Sequence, residues 1–298
     1  MRLIEKSKFP RHKVCGEFFS PEIETELGRM GLWPAFLEAG PAPVRRLKLN
    51  FGGREKTARL EESAWGLSRY AFDSLLLQRA MAEGAERTSQ ADGMVRIRAC
   101  GRQISASPRG RRLFGFKAHF EGPADDAVEL YFFGRCYVGI NPVEGGRSNV
   151  CGLGPEDVLR RLNFDFDETV RQSPAVGERL RPLRRSMEWL STGPLEFRQN
   201  FTIFDDNFPA GDALSFIDPF TGTGLVSAVK TGALAGRAVA HGVPVEGYLR
   251  ECRASLKRPF VVAEIFRSAL VSGWAETLAP LLPSRLLFSL TRPQFGGK

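Results

Sequence analysis

The stretch from Phe208 to Ala240 restricts the possible folds of this chain more than any other. It reads Phe208-Pro-Ala-Gly211-Asp212, then Asp218-Pro219-Phe-Thr-Gly222-Thr223-Gly224-Leu225, and runs into a helix of small residues over 226–240. Glycines without side chains let backbone N–H groups approach an anion, and a helix start adds unpaired donors and a positive dipole end. A carboxylate beside them, here Asp212, accepts hydrogen bonds from sugar-like hydroxyls. Taken alone, the same segment also reads as a glycine turn that packs a helix closely on a sheet.

Upstream, Met1-Arg-Leu3-Ile4-Glu5 reads as a short buried strand closed by an acid, followed by a basic loop to Lys13 and then Val14-Cys15-Gly16-Glu17. Helical periodicity covers 21–30 and 68–84, and in the second run Phe72, Leu75, Leu76, Ala80 and Met81 fall on one face. Over 128–140 every second residue is apolar while Glu129 and Arg135 alternate with them, which predicts antiparallel sheet with one face on a core. Gly145-Gly146 supplies a turn, and 149–153 returns as a partner strand. Residues 155–162 and 167–183 read as helices, with Pro155 suited to a first turn. The last fifty residues read as helix interrupted at Pro259, Pro280, Pro283 and Pro293.

A chain of 298 residues, 43% hydrophobic and 26% charged, buries a substantial core in one large or two moderate domains and excludes wholesale disorder. The net charge of +8 permits an anionic ligand. Its Arg pairs (Arg45-Arg46, Arg111-Arg112, Arg160-Arg161, Arg184-Arg185) are scattered, with no basic block, so nucleic acid is not an expected partner. The five cysteines form no Cys-x-x-Cys pair, so neither a disulfide framework nor a metal site is expected and a reducing cytoplasm is the default. No run of about eighteen apolar residues and no signal-peptide core occurs. The 260–290 run, with Arg267 and Arg285 among aromatic and aliphatic residues, is the candidate for peripheral membrane contact, and packed cap helices are its plainer reading. His12, His119 and His241 show no carboxylate or nucleophile companion in the sequence and read as structural or surface residues. Oligomeric state is not encoded in any motif.

The 208–232 segment resembles the C-terminal flavin-binding motif of FAD-dependent oxidoreductases, most nearly the geranylgeranyl-reductase-like branch of the para-hydroxybenzoate-hydroxylase superfamily. Three further segments agree in order. Lys13-Val-Cys15-Gly16 resembles that branch's Lys-x-Cys-Gly segment beside the flavin, Arg69-Tyr-Ala-Phe72-Asp73 its Arg-x-x-Phe-Asp helix, and Leu113-Phe-Gly-Phe-Lys117-Ala-His119-Phe the strand entering its substrate domain. The resemblance implies that Gly211 and Asp212 meet the pyrophosphate and ribityl chain. It also implies that Pro219, Gly222, Thr223, Gly224 and Leu225 run under the isoalloxazine, where amides stabilise negative charge on the reduced ring. Lys13, Cys15, Gly16 and Arg69 are implied near the cofactor, and Glu5 at the adenosine ribose. For Glu5 a capping or solvated acid is the alternative, and for Cys15 a packed small residue. Family members often carry Glu where this chain has Thr223, so any role of that acid is lost here.

Two parts of the family pattern are missing. A dinucleotide fold places Gly-x-Gly-x-x-Gly about twenty residues before the acid-terminated strand, yet only Met1 to Ile4 precede Glu5. The first strand, pyrophosphate turn and first helix are therefore expected to be absent, leaving two neighbouring strands unable to pair across a gap. Between Gly84 and Ala99 the connection is also short, and Arg98-Ala99-Cys100-Gly101-Arg102-Gln-Ile-Ser105 resembles the end of an Ala-Asp-Gly-like motif with Cys100 at the acid position.

The expectation is an α/β fold: an incomplete FAD-binding Rossmann-like domain (1–105 and 201–250), an inserted antiparallel-sheet substrate domain (106–200) and a helical C-terminal cap (251–298). The expected function is FAD-dependent oxidoreduction of a small hydrophobic substrate, isoprenoid or polyketide-like, of reductase or dehydrogenase type, with NAD(P)H the candidate electron donor. An FAD-dependent monooxygenase and a catalytically silent, shortened flavoprotein that binds a ligand are the alternatives. Trp33, Trp65, Trp189 and Trp274 form no Trp-x-Trp-x-Ile-Pro element of flavin halogenases. Losing a glycine turn that gives two or three charge-assisted hydrogen bonds should weaken FAD binding by at least about two decades.

Overall fold

The computed structural model describes residues 1–90, 96–102, 112–202, 207–219 and 222–271. From the N-terminus, β1 (Arg2–Ile4) and β2 (Phe18–Phe19) precede helices α1 (Ile23–Arg29) and α2 (Trp33–Glu38). A hairpin of β3 (Ala42–Phe51) and β4 (Arg54–Gly66) leads into α3 (Arg69–Ala82), β5 (Glu86–Thr88) and β6 (Ile97–Arg98). Next come β7 (Leu113–Glu121), β8 (Ala127–Phe133), β9 (Cys136–Val143) and β10 (Arg147–Pro155), then α4 (Glu156–Arg161), α5 (Phe166–Arg171) and α6 (Pro174–Leu180). Short strands β11 (Arg184–Arg185), β12 (Leu190–Leu195), β13 (Arg198–Gln199), β14 (Phe208–Pro209) and β15 (Ser215–Phe216) lead to α7 (Gly224–Ala240) and α8 (Val245–Val271).

Nine strands form one large sheet in the order β11-β7-β10-β9-β8-β3-β4-β2, with β12 also paired to β7. All its ladders are antiparallel except β3–β8. Residues 18–66 thus supply β2, β3 and β4 to the same sheet as the 113–195 strands. Side chains alternate across β7 as the period of two requires. Phe116, Ala118 and Phe120 pack with Leu159, Phe166, Val170 and Val176 of α4 to α6, whereas Lys117 and His119 turn to the opposite face, where segment 12–17 lies.

Several sequence expectations are corrected here. The 128–140 run is two strands, β8 and β9, turned at Gly134 and Arg135, both at positive φ. Both of its faces are covered, so Glu129 is buried, taking hydrogen bonds from Tyr131 Oη at 2.5 Å and Arg179 Nε at 2.9 Å. The 167–183 helix is interrupted: Ser173 caps a new helix whose first residue is Pro174, so α5 stops before it. On α3, capped by Ser68, Phe72 is buried but Met81 faces solvent. Helix α8 runs through position 259 without a break. Its packing through Tyr248, Leu249, Cys252, Leu256 and Ala263 offsets the roughly 3 kcal/mol that an interior proline costs. Pro280, Pro283 and Pro293 lie outside the described residues, as does most of the 260–290 run. Among the described residues no helix is long and apolar enough to cross a membrane.

The parallel strands are two separate pairs. β1 pairs with β5 and β6 with β14, and no ladder among the described residues joins one pair to the other. β1 is consequently not the buried strand its sequence implied. Met1 is 80% and Ile4 39% exposed, because the strand has a neighbour on one side only.

Candidate functional site

Between the strand pairs, the large sheet and α7 lies a cavity of about 1980 Å³. Eleven of the twelve residues singled out in the sequence border it: Glu5, Lys13, Cys15, Gly16, Arg69, Gly211, Asp212, Pro219, Gly222, Gly224 and Leu225. Thr223 stands behind them, buried at the N-cap of α7. The wall formed by the large sheet is apolar, with Leu47, Leu49, Val128, Leu130, Phe132 and Leu153. Of the motif that resembles an Ala-Asp-Gly end, Arg98 to Arg102 border the cavity, exposed Cys100 included, and the following residues to Ser105 lie outside the described residues.

The 208–225 segment explains its glycines. Gly211 has φ +60, and its N–H donates to Thr231 Oγ1 at 2.9 Å, so it gives close approach and not a free donor. Gly222 has φ +68 and closes a turn by donating to Pro219 O at 3.1 Å; a Cβ there would lie 2.7 Å from the Phe18 ring. The first-turn N–H groups of Gly224 and Leu225 fall where a helix has no internal acceptors. Along α7, Ala228, Gly232 and Gly236 continue the cavity wall, a stripe at helical spacing that keeps side chains out of the cavity.

Charged side chains also border the cavity, Lys13, Arg69, Arg102 and Asp212 among them. Arg69 grips Asp73 with both nitrogens (2.7 and 2.9 Å), and Lys13 Nζ lies 2.7 Å from the same carboxylate. Burial pushes the Asp73 pKa up, but Arg69 and Lys13 outweigh it and hold the group below its ordinary value. Asp212 behaves oppositely. Its surroundings desolvate it and raise its pKa, against the pull of Arg69, Arg102 and Lys13.

Beneath segment 12–17 is a buried ionic set that the sequence reading missed. Glu17, fully buried and at φ +52, accepts from Arg69 N–H at 2.7 Å and from Lys117 Nζ on one oxygen, and pairs with His119 Nε2 at 2.6 Å on the other. Burial would raise the Glu17 pKa, but His119 and Lys117 lower it further than burial raises it. His12 stacks on Tyr70 and stands edge-on to His119. His119 therefore has a carboxylate companion that the sequence did not show, since Glu17 reaches it across 102 positions, whereas His12 has ring contacts only. His241, exposed at the end of α7, fits its surface assignment. A signal was present: Lys117-x-His119 puts two polar side chains on one face of an otherwise apolar strand, and such groups are buried only when paired. His12, Glu17 and His119 offer ligand atoms within 4.8 Å of one another, but the Lys117 ammonium already serves as the positive partner of Glu17. Asn149 Nδ2 completes the clamp, donating to Gly16 O at 2.8 Å and Cys15 O at 3.2 Å.

No family model and no curated protein matches the chain. Its fold is nonetheless present among solved structures. The flavin-dependent brominase Bmp2 superposes with a TM-score of 0.77 at 18% identity, over 97% of this chain and 86% of its own. The myxobacterial chondrochloren halogenase CndH gives 0.75 at 16%, over 98% and 84%, and a flavoprotein/dehydrogenase from Cytophaga hutchinsonii 0.71 at 15%, over 91% and 80%. The chain thus has the fold of flavin-dependent halogenases and flavoprotein oxidoreductases, the α/β architecture expected from its sequence. The likeness does not single out the reductase-like branch. Trp33, Trp65 and Trp189 lie in packed aromatic clusters, and Trp274 lies outside the described residues.

Proposed function

We propose that the chain is an FAD-dependent oxidoreductase of reductase or dehydrogenase type acting on a hydrophobic organic molecule, isoprenoid or polyketide-like. The observation that carries this reading is the convergence of Glu5, the Lys13–Gly16 segment, Arg69, Gly211-Asp212 and the start of α7 on one cavity with an apolar wall. Several features fit a flavin nucleotide. The Ala228, Gly232 and Gly236 stripe leaves the cavity open along α7, where larger side chains would intrude. Arg98 borders the cavity with its Nε buried and without a hydrogen-bond partner, which suits a phosphate oxygen.

A bound flavin would supply hydride or electron transfer. In this reading Asp212 holds ribityl hydroxyls, and Arg69 keeps the Lys13–Gly16 segment in place through Asp73. The amides of Gly224 and Leu225 stabilise negative charge with the dipole of α7. The apolar wall of β3, β8 and β10 excludes water and takes the substrate. NAD(P)H is the electron donor we assign, from the resemblance alone.

A second reading, a ligand-binding protein without turnover, draws on the two parallel pairs, which no ladder joins among the described residues. Purified protein decides between them. A flavin absorption band, or quenching of FAD fluorescence that Asp212→Ala weakens at least about tenfold, supports the enzyme. A colourless protein that takes up no added FAD ends that proposal. Anaerobic reduction followed by mixing with oxygen separates the reductase from a monooxygenase, because a hydroperoxide absorbance contradicts the former.

A further inference from the structure

The cavity wall also contains an imidazole, that of His12. Its ring is held on two sides, stacked on Tyr70 at 4.9 Å and edge-on to His119 at 5.1 Å between centroids. Nδ1 is buried without a hydrogen-bond partner, which leaves Nε2 to meet whatever occupies the cavity. We propose that His12 is the recognition residue for the organic ligand, donating its Nε2–H to the carbonyl oxygen of an apolar ketone. This deepens, and rests on, the reading of the cavity as a flavoenzyme substrate site.

Three observations lead there. First, the ring is held neutral. Burial lowers its pKa, the Lys117 charge adds to that, and His119 and Arg147 act in the same sense, with only Glu17 opposing. Second, the proton of a neutral ring belongs on Nε2. On Nδ1 it would be a buried donor with nothing to donate to, and orphaned buried N–H groups are rarer than orphaned acceptors. Third, Glu17 cannot draw that proton inward. Its oxygens are already engaged by Arg69 N–H, Lys117 and His119. His12 is therefore a fixed, uncharged donor on a cavity whose sheet wall is apolar. That arrangement suits a molecule that is greasy along its length with one oxygen acceptor.

The test uses the full chain and benzalacetone, an apolar α,β-unsaturated ketone, with its carbonyl stretch followed by difference infrared spectroscopy. The wild type is expected to shift the bound carbonyl band to lower wavenumber. His12→Phe is expected to abolish the shift and weaken binding by about three- to tenfold, the range of one neutral hydrogen bond. His12→Gln, which keeps an N–H donor, should retain part of both, and His241→Phe should change neither. Nitrogen NMR of the imidazoles should show the Nε2–H form of His12 in the wild type. Failure of the wild type to bind the ketone overturns the proposal, as does an unshifted carbonyl band, an equal shift in His12→Phe, or a proton found on Nδ1. FAD uptake is measured on the same samples by fluorescence quenching. Its loss in the wild type refutes the flavin reading, while uptake without a carbonyl shift refutes only the role of His12.

Discussion

The Tyr137 hydroxyl donates to Asp218 Oδ1 at 3.0 Å, joining β9 of the large sheet to the segment that precedes Pro219, across 81 positions. Both side chains are buried, at 5% and 2% exposure. Tyr137→Phe removes a donor from a buried carboxylate and should cost about 1.5–3 kcal/mol. Urea unfolding measures this, and an unchanged midpoint would show that the bond carries no weight.

Glu17 offers a sharper energetic test. Glu17→Gln leaves the Lys117 charge buried without its counter-charge and is expected to cost about 3–5 kcal/mol, whereas Glu17→Gln with Lys117→Met should recover much of it. A double-mutant cycle with no coupling between the two positions would refute the ion pair.

Gly222→Ala meets both a positive φ and the Phe18 ring, so it should destabilise by about 1–3 kcal/mol and reduce FAD uptake. Adding Phe18→Ala relieves only the steric part. A single variant as stable as the wild type would mean that Gly222 does not adopt this conformation.

Acid sensitivity follows from two carboxyls. Glu17 and Asp73 have folded-state pKa values below their ordinary 4.5 and 3.8, so the unfolded chain binds more protons than the native one in that range. Their stabilisation is complete above the ordinary values and is lost as pH falls through the lower, native ones. The urea midpoint should therefore fall steeply below about pH 4.5, and Asp73→Asn should flatten that slope. An equal slope in wild type and variant would contradict the assignment.

Asp212 carries the opposite sign. A raised native pKa means its ionised form is disfavoured by folding, so stability is lost as pH rises through that pKa. Because Asp212 is exposed to the cavity, solvent screening keeps this effect small, and Asp212→Asn is expected to raise the melting temperature of the flavin-free protein only slightly at pH 7 while lowering FAD affinity. A variant less stable than the wild type would show that the carboxylate is structurally required.

The parts legible in the sequence were those whose chemistry is local. Gly211-Asp212 and Gly222-Thr223-Gly224 are read from a few adjacent residues, and β9–β10 from alternation and a Gly145-Gly146 turn. The Glu17 set was not legible, because its members come together from positions 52, 100 and 102 residues apart. Burial of Glu129 was hidden for a similar reason: alternation shows two faces, but not that helices α4 to α6 cover the one that carries the acid. Pro259 misled because a proline's local cost says nothing of the apolar contacts α8 makes along its length.

Among the described residues, strands β1 and β6 each have a ladder partner on one side only. Ladders of two or three residues place this region at the low end of local stability, where amide protons exchange through small openings and not through global unfolding. A ligand that touches both pairs would stabilise them as it binds, so its measured affinity would include the free energy of tightening these short ladders.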